Sequence, residues 1–221
     1  KAARELVTKQ QQDDYLKDKI DTGEERILIP IANPDTIENL VNLAILLKNP
    51  KKKTPLYAIN VTDDKSQDNG FKAAKIASSA DVEMETIARY DINIASGIIH
   101  TMKEKNISEI VIGLHHKANI VDSFFGTKTE SLLKGTNKMV AITKCTIPVN
   151  TVTRIVIAVP EKAEFETGFV KWVDRVANMV KQVGCRAIFY AHPNTIIQLK
   201  AILRKGKYNI RNEFEILDNW E

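Results

Sequence analysis

Short apolar runs rich in β-branched residues alternate along this chain with longer segments in which apolar residues recur at helical spacing. Such runs predict buried strands, and the segments between them predict amphipathic helices. Regular alternation of the two is typical of an open parallel sheet with helices on both faces, because parallel strands need a crossover helix between them. The predicted strands cover residues 26–31, 54–62, 82–89, 110–112 and 139–143, and the predicted helices cover residues 33–47, 70–80, 92–104 and 127–138. We therefore expect a parallel five-stranded α/β sheet between residues 26 and 143.

Two finer expectations concern the first two helices. Pro34 favours the first turn of a helix and the Asn33 side chain can cap one, so the first helix is expected to start within residues 33–36. In the second helix, the expected inward-facing residues are Phe71, Ala74, Ile76 and Ala77.

The pattern of strands and helices restarts after residue 150. Residues 154–160, like residues 26–31, combine a basic residue with a β-branched run that reaches a proline. A helix at 165–183, a strand at 185–190, a helix at 195–204 and a strand at 214–217 are predicted after it. This internal repeat predicts three regions: a polar linker at residues 1–24, a full α/β unit at 25–150 and about half of a second unit at 151–221.

Composition narrows the classes of protein that this chain could be. Its 221 residues are 43% hydrophobic and 27% charged, which is ordinary for a globular protein. There is no apolar run of about 18 residues, so no membrane span is expected, and no apolar signal-peptide core is present near Lys1. The net charge of +4 comes from lysines interleaved with acidic residues, so nucleic acid is not an expected partner.

A loop bounded by glycines follows the fourth predicted strand. Gly113 ends that strand, and Gly126–Thr127 precede a predicted helix start. The first N–H groups of a helix lack intrahelical partners and carry partial positive charge, so strand, glycine loop and helix start together favour an anion. Ligands of open parallel sheets bind beyond the carboxyl ends of the strands, which is where Gly113 is expected to lie.

Catalytic and metal chemistry is not indicated by the same loop. His115 and His116 with Asp122 resemble a ligand set only in composition, because adjacent histidines in such a loop point apart. Ser123 and Thr127 have no base and orienting group arranged beside them in the sequence. We therefore do not expect an enzyme, and the two cysteines are expected to be free thiols.

The loop resembles the nucleotide-binding signature of the universal stress protein family, which reads Gly, two residues, Gly, nine residues, then Gly followed by Ser or Thr. Gly113 fits the first glycine and Gly126–Thr127 fit the last pair, but His116 stands at the second glycine. The family's aspartate at the end of strand one is replaced by Ala32. The resemblance implies ATP or AMP as the ligand and a degenerate nucleotide loop built from Asn33, Gly113, His116, Lys117, Gly126 and Thr127.

The tandem units, preceded by a charged linker in a chain that starts at Lys1, resemble the cytoplasmic C-terminal region of bacterial monovalent cation (sodium):proton antiporters. That resemblance implies a regulatory domain on the cytoplasmic face of the cell membrane, with the membrane-embedded transporter portion of the same polypeptide as its partner. The alternative is a soluble universal stress-type protein that binds ATP or AMP.

A homodimer is expected from the fifth predicted strand. Residues 139–143 are apolar and form the last strand of their unit. An uncovered strand edge of this kind tends to pair with another chain.

Overall fold

Two compact units make up the structure, a computed structural model that describes residues 24–61, 68–91, 93–114 and 126–217. The first unit covers residues 24–149 and the second begins at residue 150. The first unit contains the predicted five-stranded sheet, in the order β3-β2-β1-β4-β5, and every neighbouring pair is parallel. Its strands are β1 (Ile27–Pro30), β2 (Leu56–Val61), β3 (Met84–Arg89), β4 (Glu109–Gly113) and β5 (Met139–Thr143).

Helices cover both faces of this sheet. The helices are α1 (Ile37–Leu47), α2 (Asp68–Ser78), α3 (Ile94–Glu104) and α4 (Gly126–Gly135). Leu28 of β1 packs in one core cluster with Ile98 and Met102 of α3. Its chain neighbours Ile27 and Ile29, which point to the opposite face, are buried as well. Burial on both faces is what a central parallel strand requires, and it explains why β1 is almost entirely aliphatic.

The second unit is a smaller parallel sheet in the order β6-β7-β8. It consists of β6 (Arg154–Ala158), α5 (Phe169–Val183), β7 (Arg186–Ala191), α6 (Pro193–Lys205) and β8 (Arg211–Ile216). A single core cluster joins the two helices to one face of the sheet, with Phe189 and Leu199 fully buried in it. In the described part of the chain, no helix is both long enough and apolar enough to cross a bilayer.

The structure corrects two expectations about the first two helices. Asn33 does not cap α1, which starts at Ile37; the Asn33 Oδ1 atom instead accepts the backbone N–H of Asp35 at 3.0 Å in a separate turn. Phe71 does not face inward but is 73% exposed. The inward positions of α2 are Ala73 and Ala77, because small residues let the helix approach the sheet closely.

β3 and α5 also begin later in the structure than the sequence predicts, for reasons visible in the backbone. β3 starts at Met84 rather than at residue 82, because the Val82 N–H donates to the Ala77 carbonyl at 3.0 Å and Asp81 adopts a left-handed conformation with φ 55°. Those two features close the C-terminus of α2. In the second unit, α5 begins only at Phe169, since residues 163–165 form a 3-10 turn and Gly168 has φ 87°.

Candidate functional site

The candidate site lies at the carboxyl end of β1, which pairs with β2 on one side and β4 on the other. The crossover connection reverses direction at such a point, and ligands of open α/β sheets bind there. Asn33 follows β1, Gly113 ends β4, and α4 starts at Gly126. His116 and Lys117 lie outside the described residues, as does the side chain of Thr127. The described part of the site is therefore its β1 side, the end of β4 and the backbone at the start of α4.

Ala32 occupies the position at which the resemblance expects an aspartate. It is exposed immediately after β1, so its methyl group offers a ligand no hydrogen bond. The neighbouring Asn33 is half-buried, and its carbonyl oxygen Oδ1 is already engaged by Asp35. The Asn33 side chain still offers two amide N–H donors and one lone pair on Oδ1, but it lacks the negative charge of a carboxylate that accepts from hydroxyl groups.

Two residues of α2 that the sequence did not single out reach the same end of β1. The Asn69 side-chain amide donates to the carbonyl oxygens of Ile31 at 3.0 Å and Ala32 at 3.4 Å. The Lys72 ammonium donates to the Pro34 carbonyl at 2.8 Å. These bonds engage three backbone carbonyls of the segment that follows β1. The sequence alone carries no usable signal, because α2 is known to start beside the β1 end only once the structure shows that β2 neighbours β1.

Gly113 has a packing role that is independent of any phosphate. A Cβ atom at this position would lie 3.2 Å from both terminal methyl groups of Leu40, which is fully packed on the inner face of α1. Contacts this short require the neighbouring side chain to shift. Glycine therefore fits closely where α1 packs on the end of β4, and its presence in the signature spacing does not by itself indicate a nucleotide.

An ionic network lies at the carboxyl end of β3. Arg89 donates to Glu104 with both terminal nitrogens, at 2.7 and 3.0 Å, and its Nε donates to Asp91 at 3.2 Å. His100 contacts the same Asp91 oxygen at 2.8 Å. The hydrogen bond from Arg89 lowers the pKa of Glu104 below its ordinary value. The network links α3 to β3. Within the described residues, no set of His, Cys, Asp and Glu side chains could hold a metal ion.

The second unit places one of its own carboxylates beside a helix start. Glu164 is buried in the turn that follows β6, and its Oε2 accepts the hydroxyl of buried Thr195, in the first turn of α6, at 2.6 Å. The helix N-terminus favours negative charge, so an internal carboxylate is a suitable partner there. Because Glu164 supplies a negative charge there, the start of α6 does not require an external anion.

Comparison with solved structures identifies the fold, whereas comparison of sequences assigns no family. No protein-family profile matches the chain, and no curated protein sequence matches it. Among solved structures, the chain is similar to the cytoplasmic domain of a prokaryotic cation chloride cotransporter, with a TM-score of 0.63 and 9% identity over 89% of this chain and 79% of that chain. A universal stress protein from Archaeoglobus fulgidus gives a TM-score of 0.55 and 15% identity over 86% of this chain.

A third solved structure matches a shorter part of the chain. It is a universal stress protein from Archaeoglobus fulgidus in complex with dAMP, at 18% identity and a TM-score of 0.44, covering 55% of this chain and 98% of that chain. Identities this low establish only a common fold. The sheet order and the two structural matches that cover most of the chain show that it has a universal stress protein-like α/β fold.

Proposed function

We propose that the chain is a regulatory or interaction domain of a monovalent cation (sodium):proton antiporter, with a degenerate nucleotide loop. The observation that carries this proposal is the likeness to the cytoplasmic domain of a cation chloride cotransporter along 89% of the chain. The β1 end supports it, because Ala32 lacks a ligand group and Asn69 and Lys72 occupy the nearby carbonyls. A domain with such a site regulates through contacts with protein surfaces more readily than through a bound nucleotide.

In this proposal the domain lies on the cytoplasmic face of the cell membrane. Its partner is the membrane-embedded transporter portion of the same polypeptide, and it carries no catalytic step. The described surface supports a protein contact rather than chemistry, since its clustered ionisable groups, such as Arg89 and Glu104, are bonded to one another. The interleaved charges noted in the sequence likewise favour a protein partner over nucleic acid.

Transport measurements on the full-length polypeptide test the proposal. Everted vesicles that contain it are compared with vesicles that contain a version lacking residues 24–217, using a pH-sensitive dye and pulses of sodium or potassium. We expect exchange to persist after the deletion but with an altered dependence on pH or cation concentration, because the deleted part regulates and does not transport. A polypeptide without membrane spans, or one whose exchange is unchanged by the deletion, would contradict the proposal.

The second candidate function is a universal stress-type protein that binds ATP or AMP. The spacing of Gly113 and Gly126–Thr127 favours it, and so does the helix start at Gly126 near the β1 end. This candidate predicts measurable nucleotide affinity in the unmodified chain, whereas a degenerate loop predicts none.

We also propose that the chain forms a homodimer through β5, which lies at the edge of the first sheet. All five of its residues are half-buried, so the strand presents apolar side chains beside an unpaired edge. We expect sedimentation equilibrium to show a dimer, and deletion of residues 139–148 to convert it into monomer. Circular dichroism checks that the deleted chain remains folded. A monomer at the highest attainable concentration of the intact chain would refute this proposal.

A further inference from the structure

The two parallel sheets can be superimposed position by position at their first two strands. In the first unit, the Ile31 N–H that follows β1 donates to the Ile59 carbonyl at 2.9 Å. In the second unit, the Val159 N–H that follows β6 donates to the Tyr190 carbonyl at 2.8 Å. This shared bond makes Leu28 and Val156 equivalent positions.

The strand registers extend this equivalence across both sheets. In the first unit, Leu28 pairs with Tyr57, which pairs with Glu85. In the second unit, Val156 pairs with Ile188, which pairs with Glu213. Arg26 lies two positions before Leu28, and Arg154 lies two positions before Val156. Each unit therefore has an arginine and, two strands away, a glutamate at matching positions of its sheet.

In the first unit this arginine and this glutamate hold the C-terminal end of α3. The Arg26 guanidinium donates from Nη1 to the carbonyl of Lys105, the residue that caps α3, at 2.8 Å. The Lys105 ammonium in turn forms an ion pair with Glu85 at 2.5 Å. Between these two contacts, Ile98 and Met102 of α3 cover Leu28 and Tyr57 in one core cluster. This helix end therefore has a donor for its terminal carbonyl, an acceptor for its lysine and an apolar strip beneath it.

The corresponding face of the second sheet, which we call the open face, carries Arg154, Val156, Ile188 and Glu213. Both helices of this unit belong to the core cluster on the opposite face. Val156 is 58% exposed, whereas the equivalent Leu28 is fully buried; Ile188 on the central strand is only 9% exposed. Arg154 is exposed, and its side chain has no hydrogen bond or ion pair with any residue that the structure describes. Glu213 is half exposed, and its side chain forms an ion pair with the neighbouring Arg186 at 3.3 Å.

We propose that the open face is a docking surface for an amphipathic α-helix of a partner chain that ends in a lysine or arginine. The apolar side of that helix packs on the exposed Val156, beside Ile188, which is already buried. Its last carbonyl groups, which have no partners within the helix, accept from Arg154, and its terminal basic side chain pairs with Glu213. Arginine at this place also favours the negative end of the helix dipole, so the surface selects the C-terminal end of a helix and fixes its direction.

Charge complementarity favours a partner helix, rather than the same face of a second copy of the chain, as the occupant of the open face. Arg154, Arg186 and Arg211 stand in one row across the three strands. Two such faces packed with their strands in the same direction would bring the arginine rows together. A helix end presents carbonyl oxygens to the same row and meets no like charge.

The test uses a peptide with the sequence of residues 93–107 of this chain, which has the required apolar side and ends close to Lys105. The peptide is attached after Glu221 through a flexible glycine-serine linker, which gives an effective concentration on the order of millimolar. We expect the methyl resonances of Val156 to shift relative to the chain without the peptide. Unattached peptide should shift the same resonances on titration.

Substitutions then test the two polar contacts. Arg154→Ala should weaken the titrated affinity about tenfold, the ratio that corresponds to loss of one charge-assisted hydrogen bond. Glu213→Lys should weaken it about threefold, as expected for an exposed ion pair, and the peptide with Lys105→Glu should regain that loss. The matched control is Arg204→Ala, which removes an exposed cation from α6 on the other side of the sheet and should leave the affinity unchanged.

Three outcomes would overturn the proposal. The first is the absence of any Val156 shift with the attached peptide. The second is an equal effect of Arg154→Ala and Arg204→Ala, which would mean that binding is not directed to the open face. The third is a concentration-dependent shift of Val156 in the chain without peptide, which would assign the face to a second copy of the chain.

Discussion

Calorimetric titration of the unmodified chain with ATP is expected to show no heat of binding up to millimolar nucleotide. Two contacts that the universal stress protein signature implies are missing, the carboxylate at position 32 and the phosphate approach at position 116. Each charge-assisted hydrogen bond contributes about 1.5–3 kcal/mol, so the loss of two weakens binding by about 3–6 kcal/mol. That corresponds to roughly two to four decades in Kd and removes a micromolar site from the measurable range.

The double variant Ala32→Asp with His116→Gly should raise the affinity for ATP. The aspartate returns an acceptor for the ligand's hydroxyl groups at the end of β1, and the glycine lets backbone N–H groups approach a phosphate. The matched control is Ala32→Asn with His116→Gly, which has nearly the same size at position 32 but no negative charge, and should gain less. Tight binding by the unmodified chain would overturn the degenerate interpretation of the loop. Equal, unmeasurable affinity in the double variant would show that the loop is not a latent site.

The sequence predicted the first sheet well because periodicity records burial. β5 was predicted at residues 139–143 and has those bounds, and β1 was predicted from an aliphatic run that the structure buries on both faces. Phe71 shows the limit of the same argument. Its size suggests an inward position, but the small residues Ala73 and Ala77 face the sheet instead, because close approach of a helix depends on the absence of bulk.

The candidate site was predictable only in part, because its described contacts join residues that are far apart in sequence. Gly113 was placed correctly at the end of a strand, yet its contact with Leu40 spans 73 residues and leaves no local pattern. Asn69 reaches back to Ile31 and Ala32, and an asparagine at a helix start is equally typical of a simple cap. Strand order had to be known before that side chain could be assigned to the site.

The variant Phe189→Ala should destabilise the second unit by about 3–5 kcal/mol, the usual cost of truncating a buried phenylalanine. Phe189 is fully buried on the central strand of its sheet and stacks on Phe214, with ring centroids 5.3 Å apart and planes 15° from parallel. A loss of this size is comparable with the whole stability of a small domain, so the unit should unfold at a much lower urea concentration. Trp172 lies on α5, so in a background with Trp220→Phe the remaining tryptophan fluorescence follows this unit.

Amide hydrogen exchange of residues 24–149 reports separately on the first unit, whose core cluster around Leu28 and Ile59 shares no residue with that of Phe189. We expect exchange in β1 and β2 to remain unchanged in Phe189→Ala while the tryptophan transition moves. Phe165→Ala is the matched control in the same unit, because Phe165 is 57% exposed and its removal should change stability by no more than about 0.5 kcal/mol. If amide exchange in β1 becomes faster in the variant whose tryptophan transition is shifted, the two units unfold as one cooperative body. Their separate cores then do not give them independent stabilities.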